Sequence, residues 1–141
     1  MISESGESAV LLALQRATHR TLHALTATLA DLDLTPSEIN TLANLADGRA
    51  RNVRALSADT GTRATTLTGV LDRLERRGLL TRELDPDDRR SFRLALTEPG
   101  QEVAARVSAA VSGLEARALA GLSPQQLAGY HAVITALQEV S

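Results

Sequence analysis

The segments RATTLTGVLDRLERRG (63–78) and DPDDRRSFRLALTEPG (85–100) decide the fold that this sequence predicts. In the first segment the apolar residues recur at i, i+3, i+4 and i+7, the spacing of one helix face: Leu67, Val70, Leu71 and Leu74. Gly78 follows as the residue that can end such a helix in a left-handed conformation. The first segment is therefore predicted to be an amphipathic helix with a polar outer face.

The period of the apolar residues changes after Gly78. The segments LLTREL (79–84) and SFRLALT (91–97) alternate about every second residue, which is typical of strands. The predicted inward residues are Leu80, Leu84, Phe92, Leu94 and Leu96. DPDDRR (85–90) joins the two segments, so the sequence predicts a two-stranded hairpin with a six-residue loop.

Two further helices are predicted before this pair. LTPSEINTL indicates a capping box, with Thr35 as N-cap, Pro36 in the first turn and Glu38 three residues after the cap. The next helix is predicted over residues 52–59, and Thr62 is the predicted cap of the helix that follows it. Three helices followed by a hairpin predict a winged helix-turn-helix, in which the third helix enters the major groove of DNA.

Amphipathic helices flank this predicted motif. The first covers about residues 7–32, a second starts near Glu98, and a third starts at Ser123 and Pro124. Their apolar stripes are more than a small winged helix can cover, so we expect them to pack against a second copy of the chain. A two-fold dimer would place its recognition helices about 34 Å apart, on successive major grooves of a pseudo-palindromic site.

The predicted fold is thus mainly α with a small β-hairpin, in the α+β class. Residues 35–97 form the predicted winged helix-turn-helix DNA-binding domain. The predicted helical dimerisation region consists of residues 1–34 and 98–141.

The composition limits the possible functions. The 141 residues include no cysteine, so disulfides, thiolate metal sites and a cysteine redox switch are excluded. The net charge is −2, yet the segment from Arg51 to Arg93 holds ten arginines and seven acids and so carries +3. A basic middle between acidic ends indicates a local polyanion-binding surface. The sequence has neither a leader-like start nor a spanning apolar run, so we expect a cytoplasmic location and no membrane partner.

The polar face of the predicted third helix suits base contacts. Thr65, Thr66 and Thr68 offer hydroxyls to bases or phosphates and methyl groups to thymine, and Arg63 and Arg73 can reach guanine or the backbone. The alternative is a helix face that contacts only water. The immediately following hairpin favours the DNA-binding interpretation.

The predicted loop carries two arginines among its aspartates. Arg89 and Arg90 could reach an adjacent minor groove, where narrow A·T tracts concentrate negative potential. Asp88, or Asp72 on the neighbouring helix, is the predicted partner that orients them through charge-assisted hydrogen bonds. The alternative is that these aspartates only form a well-hydrated turn.

At these residues the sequence resembles the multiple-antibiotic-resistance regulator (MarR) family. TLTGVLDRLERRGLL (66–80) is similar to that family's recognition helix and first wing strand. DPDDRRSFRLALTEPG resembles its wing motif, an Asp-x-Arg followed by Leu-Thr and a helix start: here Asp88, Arg90, Leu96 and Thr97. The order of the helices agrees as well, so the resemblance covers nearly the whole chain.

The resemblance implies a homodimeric transcription factor, usually a repressor, that binds double-stranded DNA and needs no cofactor. It also implies release by a small-molecule effector, commonly a phenolic or amphipathic anion that binds between the dimerisation helices and the DNA-binding lobe. Carried over from the family's motif, the DNA contacts fall on Thr62, Arg63, Thr65, Thr66, Thr68, Arg89 and Arg90. Gly69 departs from the pattern, since many members have a basic or larger polar residue there.

The first helix carries a second group of candidate residues. His19 and His23 are four residues apart, and Arg16 and Arg20 are spaced in the same way. The histidine pair could line an effector pocket, with an arginine for a carboxylate. A metal-responsive regulator is an alternative, although the sequence around the pair supplies no complete ligand set.

An enzyme is not predicted, because no catalytic triad order, phosphate-binding glycine loop or metal motif is found in the sequence. A second alternative to the DNA-binding regulator is a winged helix used only for protein–protein contact. Such a module would not need arginines at the wing tip.

Overall fold

The computed structural model describes residues 9–140, except for the side chains of Arg89 and Ser91. The chain divides after Val111 into two compact units. The elements follow in the order α1 (Val10–Thr28), a 3₁₀ turn (Ala30–Leu32), α2 (Pro36–Leu45), β1 (Arg51–Asn52), α3 (Val53–Thr60), α4 (Ala64–Arg76), β2 (Leu80–Asp85), β3 (Asp88–Leu96), α5 (Glu98–Leu119) and α6 (Pro124–Gln138).

Helix α2 begins with the capping box that the sequence predicts. The Thr35 side-chain oxygen accepts a hydrogen bond from the Glu38 N–H at 3.2 Å, and Glu38 Oε1 accepts one from the Thr35 N–H at 2.9 Å. Pro36 occupies the first turn of the helix. An N–H group at this position would have no intrahelical acceptor, so proline costs no hydrogen bond there. This prediction is confirmed, and it fixes the point at which the chain enters the winged helix.

The turn between α3 and α4 differs from the prediction. The predicted cap at Thr62 is wrong, because α4 begins at Ala64 and its N-cap position is Arg63. Thr62 lies instead within the turn, where its carbonyl accepts a hydrogen bond from the Ser57 hydroxyl at 2.5 Å. Gly61 has a φ of 70°, the left-handed conformation that glycine adopts without steric cost.

The sheet has three strands in the order β1-β3-β2, so the predicted two-stranded hairpin was incomplete. Strand β1 pairs antiparallel with β3 at Leu94 and Arg93. A strand of two residues has no alternation to recognise, which is why the sequence pattern missed it. The predicted six-residue loop is also wrong, because β2 extends to Asp85 and β3 begins at Asp88.

The hairpin is buried only at its root. Leu80 and Leu94 are buried as predicted, but Leu84 and Phe92 are 64% and 43% exposed. These two residues face each other across the paired strands. The outer half of the hairpin therefore extends beyond the helices, which is the shape of a wing.

The core of the winged helix is aliphatic. All four predicted inward residues of α4 are buried, which confirms its amphipathic pattern. They pack in one apolar core with fully buried residues of the neighbouring elements: Ile39, Leu42, Leu45, Leu56, Leu80 and Leu94. Burial of each such side chain stabilises the fold by roughly 1.5–3 kcal/mol. Together these contacts hold α4 firmly against the neighbouring helices and strands. The chain is a winged helix-turn-helix with a mainly helical fold.

The segment TEPG places α5 close to the start of β2. The Thr97 hydroxyl donates to the Gly78 carbonyl at 2.6 Å and accepts from the Gly100 N–H at 3.1 Å. A Cβ on Gly100 would lie 1.9 Å from the Leu79 carbonyl oxygen. Only glycine permits this approach, so the Thr-Glu-Pro-Gly helix start has a packing role besides capping.

The terminal helices leave much apolar surface exposed. In α1, Leu25 and Leu29 at its C-terminal end are buried, whereas Leu11 and Leu12 are 55% and 63% exposed. The predicted start of this helix near residue 7 lies outside the described residues, and the helix proper ends at Thr28 before the 3₁₀ turn.

Within the single chain, the apolar residues of α6 are only partly covered. Leu127, Ile134 and Leu137 are only half-buried, and no residue of α6 is buried. In α5, Val107 is buried and Ala118 is exposed. The helix starts are as predicted, with Ser123 and Gln126 forming a second capping box.

None of the helices within residues 9–140 combines the length and apolar character that a membrane crossing requires.

Candidate nucleic-acid interface

The outer face of α4 carries the predicted threonines. Thr65, Thr66 and Thr68 are exposed, and so are Arg63 before the helix and Arg73 two turns along it. The Thr68 hydroxyl donates to the Ala64 carbonyl at 2.9 Å, which fixes its side chain and leaves its methyl group and oxygen lone pairs outward. Thr62 is half-buried in the turn, so this predicted contact lies at the edge of the face.

The wing turn is ordered by its aspartates. Asp85 accepts a hydrogen bond from the Asp87 N–H at 3.0 Å, and Asp88 accepts one from the Arg90 N–H at 3.1 Å. Asp88 thus fixes the backbone of Arg90 rather than its guanidinium group. The side chain of Arg90 is exposed. The side chain of Arg89 lies outside the described residues.

Asp72 has a different partner from the one that the sequence predicted. Its carboxylate forms an ion pair with Arg82 on β2, and Glu75 Oε2 lies 3.2 Å from the Arg82 Nε. Because α4 packs against β2, these carboxylates reach the root of the wing, where Arg82 lies. Asp72 therefore joins the wing to the recognition helix, and the sequence pattern missed the role of Arg82.

A groove of about 530 Å³ lies between α3, the start of α4 and the wing tip. Its lining includes three hydrogen-bonding groups and two arginines: Asn52, Ser57, Asp88, Arg54 and Arg90. Arg54 was not among the predicted contacts. Its position in the first turn of α3 was the available signal, because the first helix of a helix-turn-helix crosses the DNA backbone.

Several arginines of the basic segment are committed to ion pairs inside the fold. Arg51 binds Asp47, and its Nε lies 2.9 Å from Asp59 Oδ2. The hydrogen bond from Arg51, with one from the Arg49 N–H, lowers the pKa of Asp47 to about 2. Among the described side chains of this segment, six arginines form no such ion pair: Arg54, Arg63, Arg73, Arg76, Arg90 and Arg93. The positive charge available to a polyanion therefore lies along α4 and on β3 as well as at the groove, which Arg54 and Arg90 line.

The candidate effector residues lie along one helix. Arg16, His19, Arg20 and His23 are all exposed on α1. Within residues 9–140, no three histidine, aspartate or glutamate side chains converge as a metal site. The structure thus places no group of metal ligands around the histidine pair in the described part of the chain.

Comparison with known proteins agrees with this geometry. A family model described as MarR family matches residues 32–91, which span α2 to the wing. The uncharacterized HTH-type transcriptional regulator YkoM of Bacillus subtilis is 43% identical over 60 residues. Those residues are 43% of this chain and 39% of YkoM, so the match covers less than half of that relative.

Solved structures match over nearly the whole chain. CouR from Rhodococcus jostii RHA1, bound to p-coumaroyl-CoA, is 25% identical with a TM-score of 0.81, over 94% of this chain and 93% of that one. A transcriptional repressor CouR bound to a 23-mer DNA duplex is 30% identical with a TM-score of 0.69, over 89% and 88%. The chain belongs to the MarR family.

As a MarR-family protein, the chain is a transcriptional regulator and not an enzyme. The MarR family model covers the winged helix but neither α5 nor α6. Those helices are covered by the structural likeness, which extends over the terminal regions. The family resemblance inferred from the recognition helix and wing is confirmed.

Proposed function

We propose that this MarR-family protein is a homodimeric repressor of a pseudo-palindromic operator, released by a small-molecule effector. The observation that carries the DNA-binding part is the groove that brings Arg54 and Arg90 to the start of α4, the helix whose threonines are exposed. A regulator with this role would act in the cytoplasm, on the chromosome.

The proposed contacts follow from this surface. Helix α4 enters the major groove, where Thr65, Thr66 and Thr68 contact base edges and thymine methyl groups. Arg54 and Arg63 contact phosphates on either side, while Arg73 contacts the backbone further along the helix. Arg90, with Arg89, enters the adjacent minor groove from the wing. Gly69 contributes no side chain, so this half-site is read by threonines and by DNA shape.

The proposed dimer is supported by the exposed apolar surface of the terminal helices. Tyr130 and Val133 on α6 are 54% and 44% exposed, and Leu11 and Leu12 on α1 are more so. An apolar surface of this kind favours association with a second copy. Two-fold symmetry would then present two α4 helices to successive major grooves, about 34 Å apart.

The proposed effector is a phenolic or amphipathic anion. Support comes from the similar structure of CouR bound to p-coumaroyl-CoA, a phenolic acyl thioester with anionic phosphates. On α1, Arg16 and Arg20 supply positive charge, while His19 and His23 supply polar lining. The effector lowers operator affinity to the extent that it binds the DNA-incompatible conformation more tightly.

The DNA-binding proposal is tested by the salt dependence of duplex affinity. Arg54→Ala and Arg90→Ala should each weaken binding to all duplexes and reduce the slope of log affinity against log salt by about 1. Arg117→Ala, which removes the same charge from the second compact unit, is the matched control and should leave the slope unchanged. Unchanged slopes for both groove variants would favour the protein–protein interaction module.

The effector proposal has its own test. Phenolic carboxylates and their thioesters should release the wild-type protein from its operator, and the double variant Arg16→Ala, Arg20→Ala should need a higher concentration. Zinc-dependent DNA affinity that is lost in the double variant His19→Ala, His23→Ala would instead indicate the metal-responsive regulator.

A further inference from the structure

Helix α4 is joined directly to the end of α1. Arg77, which follows α4, donates hydrogen bonds to the Leu32 carbonyl at 2.7 Å and the Asp33 carbonyl at 3.1 Å. These carbonyls belong to the junction, which we define as residues 30–33, between α1 and α2. Asp33 has a φ of 50°, a left-handed conformation that turns the chain. The contact bypasses α2 and connects the recognition helix to the proposed dimerisation helix.

The same junction is held from α5. Arg106 binds Asp31 through two hydrogen bonds, of 2.6 Å and 3.0 Å, the bidentate geometry that fixes orientation as well as distance. The guanidinium group beside Asp31 lowers the pKa of that carboxyl. Arginines from α4 and α5 therefore hold a single short segment from two different elements.

Arg77 also faces a buried charge. Its guanidinium nitrogen lies 3.7 Å from Glu38 Oε2, and Glu38 is only 3% exposed. The other oxygen of Glu38 accepts the capping-box hydrogen bond from Thr35. A buried carboxylate requires a compensating charge, and Arg77 supplies one. The end of α4, the junction and the start of α2 thus meet at this side chain.

We propose that Arg77 is a positioning residue for operator binding, which sets the separation of the two recognition helices by fixing α4 to the junction. The inference rests on the proposed function. The Arg77 side chain is itself 39% exposed, so its hydrogen bonds to the two junction carbonyls contribute modestly to folding stability, whereas the charge that it supplies to the buried Glu38 contributes more. Two donors from one planar group nevertheless define the direction of α4 relative to the junction. Arg106 fixes the same junction from α5 through its two hydrogen bonds to Asp31.

The test measures affinity for duplexes whose half-site separation is varied one base pair at a time. Wild-type protein should prefer one separation. Arg77→Ala should bind the best duplex roughly tenfold more weakly and lose much of that preference, with an unchanged salt slope. Arg77→Lys keeps a positive charge beside Glu38 but cannot bind both carbonyls in the same plane, so it should also broaden the preference and serves if the alanine variant fails to fold.

Arg76→Ala is the matched control. Arg76 is the adjacent arginine, and its hydrogen bond goes to the Asp72 carbonyl within the same helix. The Arg76→Ala variant should retain the wild-type preference for half-site separation. Arg106→Ala should broaden the preference as Arg77→Lys does, and the exchanged pair Asp31→Arg, Arg106→Asp should restore part of it.

Each outcome decides the proposal. A wild-type separation profile in Arg77→Ala and Arg77→Lys overturns the inference while the proposed function stands. A salt slope reduced by about 1 with an unchanged profile also overturns it, because Arg77 would then be a phosphate contact. Wild-type protein that binds no duplex overturns the proposed function, and the inference with it.

Discussion

The winged helix and the terminal helices differ in how far one chain covers their apolar surface. In the winged helix, the inward residues of α2, α3 and α4 are almost completely buried. In α6, by contrast, no residue is buried, and Tyr130 and Val133 are exposed. The first region completes its core within the chain. Helix α6 keeps apolar side chains exposed in the single chain, which is why the proposed dimer interface is assigned to it.

The largest expected effect is in the completed core. Leu71→Ala removes a fully buried side chain of α4 and should reduce the free energy of unfolding by about 2–5 kcal/mol, because it leaves a cavity. Chemical denaturation followed by circular dichroism measures the loss. A change below about 1 kcal/mol would mean that the winged helix does not depend on this packing.

The second prediction concerns the exposed region. Val133→Arg places a charge on the apolar face of α6 and should raise the dimer dissociation constant by roughly tenfold or more. Sedimentation at a series of protein concentrations measures it, and the melting temperature should then depend less strongly on concentration, because less of the variant is dimeric. Gln125→Arg, which adds the same charge at an exposed polar position of the same helix, is the control. Equal dissociation constants in the two variants would contradict the proposed interface.

The third prediction concerns the wing root. Arg82→Ala removes the ion pairs with Asp72 and Glu75 and should lower the free energy of unfolding by about 1 kcal/mol or less, since these carboxylates are exposed. Its effect on operator affinity should be larger than its effect on stability, because the wing loses its fixed direction. Fluorescence anisotropy with labelled duplex, beside a thermal melt, separates the two. If Arg82→Ala lost as much free energy of unfolding as free energy of operator binding, the role of Arg82 would be purely structural.

The smallest expected effect is a pH dependence in the winged helix. The folded-state pKa of Asp47 is about 2, below its ordinary value of 3.8, because Arg51 donates hydrogen bonds to it. Its contribution to stability is therefore present above pH 4 and is lost as the pH falls toward 2. Asp47→Asn should lower stability at neutral pH and flatten the acid limb of the stability curve. An acid limb identical to that of the wild type would exclude this contribution.

The sequence predicted the elements that carry strong local signals. The capping boxes at Thr35 and Ser123 fixed two helix starts, and the four apolar residues of α4 fixed its buried face. These features depend on neighbours three or four residues apart, which the sequence displays directly.

The features that the sequence did not predict depend on distant residues or on unpaired surface. Strand β1 is too short to show a period, and Leu84 and Phe92 alternate like buried residues although the wing extends away from the core. The partners of Asp72 and Arg77 lie on other elements, so spacing alone could not identify them. In the candidate site, the threonine face was visible in the sequence, whereas Arg54 was missed although it stands in the first turn of α3, and the groove then showed it beside Arg90.

The most direct measurement is selection of bound duplexes from random DNA by the wild-type protein at low ionic strength. The account predicts enrichment of a pseudo-palindrome whose half-sites are centred about one helical turn apart, bound by two chains. Enrichment of single, unpaired half-sites, or no enrichment at all, would contradict it.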